Sequence, residues 1–206
     1  MAAFCDANRI ALIEDDTYSA LGDSPTPLKA LKAWDRTGNV IYCASLSKVL
    51  APGLRLGWMA AGRWQGRVQM LKFAQSRPND SWSQVLAGRF IASGAYDRHL
   101  RTLRQTLREQ RERMAESIAG CFPAGTRLSV PSGGLAMWVE LPANVSSMEL
   151  FDAALAQGIR IAPGTMFSNL NRFDHFFRIC FGLEPSANLE AALATLGQLT
   201  QQLAER

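Results

Sequence analysis

The sequence lacks any apolar run long enough to cross a membrane. Its first residues, Met1–Asp6, contain neither the charged nor the apolar region of a signal peptide. With 206 residues, of which 48% are hydrophobic, the chain can bury one sizeable core or two small ones. We therefore expect a globular protein that works in the cytoplasm and makes no membrane contact.

Histidine and paired cysteine are also scarce. Only His99 and His175 are present, which leaves little material for a zinc site or a Ser-His-Asp triad. The four cysteines have no paired spacing, and three of them lie in apolar runs, which predicts reduced, buried thiols. The sequence therefore indicates neither a metal centre nor a disulfide framework.

The most informative segment is Cys43–Gly57, in which a lysine stands beside two serines and an arginine follows downstream. A lysine amine can form a covalent imine with an aldehyde. The Ser45 hydroxyl and the Arg55 guanidinium can bind a phosphate. Together with Lys48 they point to pyridoxal phosphate, an aldehyde that carries a phosphate. For Lys48 considered alone, a solvated surface lysine is the alternative.

A second element lies upstream, where the apolar run Ile10–Ile13 ends in carboxylates and predicts a buried parallel strand. Ligands of open α/β sheets bind beyond the carboxyl ends of the strands, so Asp15 is expected to face the same crevice as Lys48. A carboxylate there can keep a pyridine nitrogen protonated. Asp15 is our candidate for that role, although strand-end carboxylates also cap turns. Asp16 is then a neighbour or a helix cap.

These two segments resemble the fold-type I pyridoxal-phosphate-dependent aminotransferases. The Ser-x-x-Lys pattern of that family falls on Ser45 and Lys48, and its downstream arginine on Arg55. Its Asp-x-x-Tyr pattern falls on Asp15 and Tyr18. The resemblance implies an aldimine on Lys48 and a phosphate held by Ser45 and Arg55. It also implies that Asp15 binds the pyridine nitrogen and that the Tyr18 hydroxyl binds the ring oxygen.

A third element is Phe176–Gly182, an apolar strand that contains one arginine, Arg178. A guanidinium buried in this way requires a planar anionic partner. The resemblance implies that Arg178 binds the α-carboxylate of an amino-acid ligand. An ion pair with Asp174 or Glu184 is the structural alternative.

The hydrophobic pattern predicts two lobes. In the first, strand candidates at about residues 9–14, 40–44 and 55–61 belong to one sheet. From about Tyr96 to Ala119, apolar side chains recur at helical spacing and predict a helix that joins the lobes. That helix also carries a basic stripe interrupted by glutamates, which favours a solvated face over a nucleic-acid contact. The stripe consists of Arg98, Arg101, Arg104, Arg108 and Arg111.

The second lobe alternates strands and helices. We expect a strand over residues 134–141, a helix opened by Ser146 or Ser147, short strands near Ile159 and Phe177, and a closing helix from about Ser186. The predicted fold class is therefore α/β. The resemblance identifies it as the C-terminal part of the pyridoxal-phosphate-dependent aminotransferase fold. Residues 1–95 would be the remnant of the large cofactor-binding domain, with part of its sheet. Residues 96–206 would be the joining helix and a small α/β or α+β domain.

The resemblance covers only part of the family's fold. The family's glycine-rich phosphate cup, its ring-stacking aromatic residue and its asparagine precede the Asp-x-x-Tyr strand, whereas only fourteen residues precede Asp15. We therefore expect a fragment that binds pyridoxal phosphate weakly on its own and does not transaminate.

Three kinds of parent protein fit this resemblance. The amino-acid sequences of the motifs most resemble those of the aminotransferase-like body of MocR/GntR-type transcription regulators. Such a body senses an amino-acid or amine ligand, and it meets DNA only through an N-terminal domain that these residues do not include. The alternative is a free-standing amino-acid aminotransferase, and a third is a vestigial dimerisation scaffold. The family also implies a homodimer, and Ser76–Ser81 resembles a loop that extends towards the partner's site.

Overall fold

The computed structural model describes residues 1–24, 26, 28–170 and 172–206. These residues form two compact units, Met1–Arg104 (unit 1) and Gln105–Arg206 (unit 2). The predicted domain boundary at residues 95/96 coincides with the start of a long helix, and the division between the units falls inside that helix.

Unit 1 is built around a three-stranded sheet. Its helices and strands are α1 (Ala2–Ala7), β1 (Leu12–Asp15), β2 (Val40–Ser45), β3 (Gly57–Ala60), α2 (Gln65–Gln75), α3 (Ser81–Ala92) and the first part of α4 (Ala95–Cys121). The strand order is β1-β2-β3. β1 pairs with β2 in parallel and β2 pairs with β3 antiparallel, so the three predicted strands share one sheet.

One face of this sheet is open, which corrects the prediction that the first strand is buried. Burial alternates along β1, and Ile13 is 68% exposed. Every residue of β3 is exposed. The predicted start of this last strand was also too early, because Arg55 has a left-handed backbone and ends the 3-10 helix Pro52–Leu54.

Unit 2 is a four-stranded antiparallel sheet with two helices. Its elements, after the remainder of α4, are β4 (Arg127–Ser129), β5 (Ala136–Glu140), α5 (Ser147–Ala156), β6 (Ala162–Pro163), β7 (Phe176–Cys180) and α6 (Ala187–Ala204). The strand order is β4-β5-β7-β6. Met137, Val139 and Phe177 alternate with more exposed neighbours and point into the core.

Serine caps define where the helices of unit 2 begin. The Ser146 hydroxyl accepts a hydrogen bond from the Glu149 N–H at 3.4 Å, and the Ser186 hydroxyl accepts one from the Leu189 N–H at 3.2 Å. Such caps satisfy N–H groups that have no partner within the helix. These are the positions at which the sequence predicts α5 and α6 to open.

The joining helix α4 buries its apolar stripe, including Leu100, Leu107, Met114 and Ile118. Its basic stripe is less solvated than we predicted. Arg111 is only 6% exposed, and Arg104 Nε donates to the Ala20 carbonyl at 2.7 Å. Part of the stripe therefore supports the fold.

The cysteines and possible metal ligands need one further correction. All four thiols are free, but only Cys5 is buried, and both Cys121 and Cys180 are exposed. Among the described residues no group of three histidine, cysteine or acidic side chains is placed to hold a metal ion. The described helices include none that is both long and apolar enough to span a bilayer.

Candidate functional site

The candidate residues of unit 1 gather at one edge of its sheet. β1 ends at Asp15 and β2 ends at Ser45, and because the two strands are parallel their carboxyl ends lie at the same edge. Asp15 stands opposite Cys43 in the register. Since side chains alternate between faces, Asp15, Cys43 and Ser45 share one face of the sheet. Burial, and to a lesser extent the negative charge of Asp15, raises the pKa of the Cys43 thiol.

Lys48 lies on the tight turn that follows β2. The Ser47 N–H donates to the Ser45 hydroxyl at 3.1 Å, and the Leu50 N–H donates to the Leu46 carbonyl at 2.8 Å. Leu46 and Val49 are buried and anchor the turn, whereas Lys48 between them is exposed. Within the described residues no hydrogen bond or ion pair engages Lys48 Nζ. Its amine is therefore available to a ligand.

Arg55 is held beside this turn by the backbone. The Leu46 N–H donates to the Leu56 carbonyl at 2.9 Å, and Ser45 pairs with Gly57 in the sheet. The strands approach so closely that a Cβ on Gly57 would lie 2.5 Å from the Ala44 carbonyl oxygen. The guanidinium of Arg55 is exposed and makes no ion pair with any described residue.

Asp15 and Asp16 have different tasks. Asp15 Oδ1 accepts hydrogen bonds from the N–H and the hydroxyl of Thr17, and its side chain is exposed. Asp16 Oδ2 instead accepts a hydrogen bond from the Tyr42 hydroxyl at 2.6 Å. Burial, together with this bond and the Asp16 charge, raises the pKa of Tyr42 to about 12. Asp15 thus keeps a carboxylate oxygen for a ligand, while Asp16 fixes the chain beside it.

Tyr18 follows on the same loop and is 49% exposed. Its carbonyl accepts a hydrogen bond from the Leu21 N–H at 2.9 Å, which closes the 3-10 helix Ser19–Leu21. The phenol therefore projects from an ordered turn that begins where β1 ends.

Sequence reasoning missed the residues that brace these loops. His99 Nε2 donates to the Val49 carbonyl at 2.7 Å, next to Lys48, and Arg104 binds the Ala20 carbonyl, close to Tyr18. Both come from the first part of α4. Helical spacing placed them on one helix, but no local signal showed that this helix holds both loops.

The loop after α2 braces Arg55 from within the same chain. Asn79 Nδ2 donates to the Arg55 carbonyl at 3.3 Å, and Lys72 Nζ in turn donates to Asn79 Oδ1 at 2.9 Å. Lys72 and Asn79 also line a cavity of about 590 Å³, whose walls include neither Asp15 nor Lys48. Asn79 belongs to the segment Ser76–Ser81, whose only predicted role was to extend towards a partner.

Arg178 lies on β7 in unit 2, while the other candidate residues lie in unit 1. The prediction that its guanidinium is buried is wrong. Phe177 faces the core, so the next side chain along the strand faces outwards and Arg178 is exposed. Among the described residues neither Asp174 nor Glu184 forms an ion pair with it, and its Cζ lies 5.0 Å from the centroid of the Phe167 ring.

The donor set of unit 1 fits an aldehyde that carries a phosphate. Lys48 and Arg55, two cations that have no acidic partner in the described part of the chain, lie with the Ser45 hydroxyl at the sheet edge that also presents Asp15. A phosphate suits the arginine and the hydroxyl, a carbonyl suits the amine, and a protonated ring nitrogen suits the carboxylate.

The chain is similar in sequence to known proteins. The model of the family described as aminotransferase class I and II matches residues 1–196. The HTH-type transcriptional regulator YdcR of Escherichia coli (strain K12), described as uncharacterized, is 36% identical over 205 residues, or 98% of this chain and 43% of that protein. Aromatic-amino-acid aminotransferase 1 of Thermococcus litoralis is 28% identical over 192 residues, or 93% of this chain and 46% of that enzyme.

A solved structure has the same fold as this chain. The crystal structure of the multiple substrate aminotransferase from Thermococcus profundus matches with a TM-score of 0.88 at 26% identity, covering 99% of this chain and 51% of that one. The predicted α/β fold class is therefore confirmed. The chain spans about half the length of the curated relatives it matches.

Proposed function

Because the chain belongs to the aminotransferase class I and II family, we propose that it is the ligand-sensing body of a MocR/GntR-type transcription regulator and binds pyridoxal phosphate. Membership in the family implies this cofactor, which confirms the cofactor predicted from Lys48 and its neighbours. The observation that carries the proposal is a pair of exposed cations, Lys48 and Arg55, which make no ion pair with any described residue and lie at the sheet edge that presents Asp15.

Each residue of unit 1 has a distinct role in the proposal. Arg55 and the Ser45 hydroxyl would bind the phosphate, and Lys48 Nζ would bond to the carbonyl carbon, whose oxygen would leave as water. Asp15 holds a proton on the pyridine nitrogen, and the Tyr18 hydroxyl donates to the ring oxygen. When bound, pyridoxal phosphate supplies a reactive aldehyde and an electron-withdrawing ring.

Arg178 supplies recognition of the ligand. Its exposed guanidinium can bind a carboxylate through two parallel N–H donors, which suits the α-carboxylate of an amino acid. An amine without a carboxylate would not use this group. The proposed ligand is therefore an amino acid or a related amine.

The regulator is favoured by YdcR, the relative with 36% identity over 98% of this chain. In this reading DNA is bound by a domain outside these 206 residues, and the protein works as a homodimer. The second candidate is a free-standing aminotransferase, favoured by the similarity to the Thermococcus litoralis enzyme. Lys48 Nζ would then also accept and return the proton of the substrate α-carbon. A vestigial scaffold is the weakest candidate, because Asp15, Lys48, Arg55 and Arg178 are all present.

An ultraviolet-visible titration with pyridoxal phosphate tests the proposal. It is run on the 206-residue chain and on the complete product of its reading frame, beside Lys48→Ala and the matched control Lys29→Ala. Lys29 is another exposed lysine of unit 1, outside the site. We expect an absorbance band for bound cofactor in the complete product, weak binding in the 206-residue chain, and loss of the band in Lys48→Ala alone.

Two outcomes change the conclusion. Equal binding by the wild type and Lys48→Ala, or no band in either protein, would contradict the assigned site and favour the scaffold. If the complete product binds the cofactor and, with a second oxo acid supplied as the amino-group acceptor, converts amino acids to oxo acids with many turnovers, the free-standing enzyme replaces the regulator.

A further inference from the structure

We propose that Phe167 positions the side chain of Arg178. The Phe167 ring packs against the guanidinium and leaves its N–H donors free for a ligand carboxylate. The proposal deepens, and rests on, the carboxylate-binding role proposed above for Arg178. It assigns a task to the 3-10 helix Gly164–Phe167, which has no other role in the site.

The guanidinium has an aromatic neighbour where an acidic one would be expected. Arg178 Cζ lies 5.0 Å from the centroid of the Phe167 ring, within the range of a cation–π contact. No acidic side chain of the described residues forms an ion pair with Arg178. A bound acid would occupy the two donors that a carboxylate ligand needs, whereas a ring face attracts the cation and occupies neither.

Phe167 is itself fixed by the sheet. Ala162 pairs with Arg178 in the register of β6 and β7, and the chain continues directly from β6 into the 3-10 helix Gly164–Phe167. Gly164 allows this turn to pack closely, since a Cβ there would lie 2.2 Å from the Phe173 carbonyl oxygen. The pairing of β6 with β7 thus places the Phe167 ring beside Arg178.

A tryptophan completes the support. Trp138 stands opposite Arg178 on the neighbouring strand β5. Its ring meets Phe167 edge to face, with centroids 5.4 Å apart and an interplanar angle of 82°. Phe167 therefore contacts both members of one cross-strand pair. Because Phe167 is still 42% exposed, its replacement should leave the fold intact.

The expected effect is on affinity rather than on stability. Without the Phe167 ring, the side chain of Arg178 can adopt more rotamers. Because these must be restricted when a carboxylate binds, the affinity for the carboxylate should fall about three- to tenfold. Phe167→Tyr keeps a ring face and should restore affinity. Phe173→Leu is the matched control, because Phe173 also packs against Trp138, with ring centroids 5.5 Å apart, and among the described residues its ring makes no cation–π contact with Arg178.

The experiment uses nuclear magnetic resonance on the full 206-residue chain labelled with ¹⁵N-arginine. Sodium acetate is titrated against sodium chloride of equal ionic strength, and the Nε–H signal of Arg178 is followed. In the wild type we expect a signal shifted by the ring current of Phe167, a restrained Nε–H vector and a saturable response to acetate. Phe167→Leu should lose the ring-current shift and the restraint and bind acetate more weakly.

The outcomes separate this proposal from the proposed function. If Phe167→Leu keeps the wild-type restraint and acetate affinity, Phe167 does not position Arg178, while the role of Arg178 stands. Arg178→Gln lacks the Nε–H signal, so it is compared with the wild type through the backbone amides of β7 in uniformly ¹⁵N-labelled protein. If these amides respond to acetate equally in both proteins, the carboxylate-binding role fails and the positioning proposal fails with it. Equal weakening in Phe173→Leu would assign the effect to general packing and overturn the proposal too.

Discussion

The two units use their apolar side chains differently. In unit 2, side chains of β5 and β7 such as Val139 and Phe177 are fully buried. In unit 1, Ile13, Phe73 and Trp82 are largely exposed, and no residue of β3 is buried. A sheet that contains parallel strands is normally covered on both faces. Unit 2 therefore completes its own core, whereas unit 1, which holds Lys48, presents apolar surface to solvent.

This contrast bears on how the proposed site works. The chain spans about half the length of its curated relatives, and the loops of Asp15, Lys48 and Arg55 all lie in the unit with the open face. Local opening is easiest where few apolar contacts must be broken. We expect unit 1 to open at a lower free energy than unit 2, and three pairs of substitutions test that difference.

The largest expected effect is the loss of a buried ring in unit 2. Phe177 is fully buried, stacks on Phe122 with centroids 6.1 Å apart, and pairs with Val139 across the sheet. Phe177→Ala should lower the free energy of unfolding of unit 2 by about 3–5 kcal/mol. Ile13→Ala in unit 1 should cost less than about 1 kcal/mol, because its side chain is mostly exposed.

Amide hydrogen exchange measured segment by segment checks this pair. Protection should fall across β5 and β7 in Phe177→Ala and change little in β1 and β2 of Ile13→Ala. If Ile13→Ala lowers the free energy of unfolding nearly as much as Phe177→Ala, the open face of unit 1 is covered in solution. The proposed difference between the two units would then be wrong.

The second effect concerns a carboxylate in unit 1. Burial alone would raise the pKa of Asp35, but hydrogen bonds from Lys32 Nζ at 2.9 Å and from the Val40 and Asn39 N–H groups outweigh it and hold the pKa well below its usual range. The carboxylate therefore stabilises the fold at pH values above its ordinary pKa of 3.8, and this stabilisation is lost as the pH falls. Asp35→Asn should cost about 2–4 kcal/mol at neutral pH.

The matched acid of unit 2 is Glu140, whose pKa is lowered chiefly by its hydrogen bonds to Arg127 on the surface. Glu140→Gln should change stability little, because solvent screens that pair. The check is urea unfolding between pH 2 and pH 7. The difference between wild type and Asp35→Asn should shrink as the pH falls. A difference independent of pH would show that Asp35 acts through packing and not through its charge.

What could be predicted from the sequence depended on whether the signal was local. The caps at Ser146 and Ser186 and the stripe of α4 are local, and they were located closely. β4 was missed because its few residues gain strand structure only by pairing with β5, and β6 was placed too early because β7 sets its position. The arginine of β7 was predicted to be buried because its neighbours along the strand are apolar, so the alternation that exposes Arg178 was overlooked.

The candidate site divides in the same way. Motif spacing identified Asp15, Lys48 and Arg55 as candidates, because each lies in a short segment with a recognisable pattern. The braces were beyond such reasoning, since His99 contacts Val49 and Asn79 contacts Arg55 across long stretches of chain. The contact between Phe167 and Arg178 is likewise set by strand pairing.

The smallest changes in stability are expected from alanine substitutions at two glycines, one in each unit. They test how closely other atoms pack around each glycine. In unit 2, a Cβ on Gly197 of α6 would lie 2.1 Å from the Cys121 carbonyl oxygen at the end of α4. In unit 1, a Cβ on Gly88 of α3 would meet nothing within 4 Å. Gly197→Ala should therefore cost about 1–3 kcal/mol through overpacking, whereas Gly88→Ala should gain about 0.5–1 kcal/mol from helix propensity.

Thermal unfolding of both variants checks the signs of these changes. Gly88→Ala is the sharper test of the open unit, because the expected gain requires that nothing packs closely against that side of α3. Destabilisation by Gly88→Ala in the complete reading-frame product, together with stabilisation in the 206-residue chain, would show that another part of the protein covers α3. The comparison between the two units would then have to include that covering part.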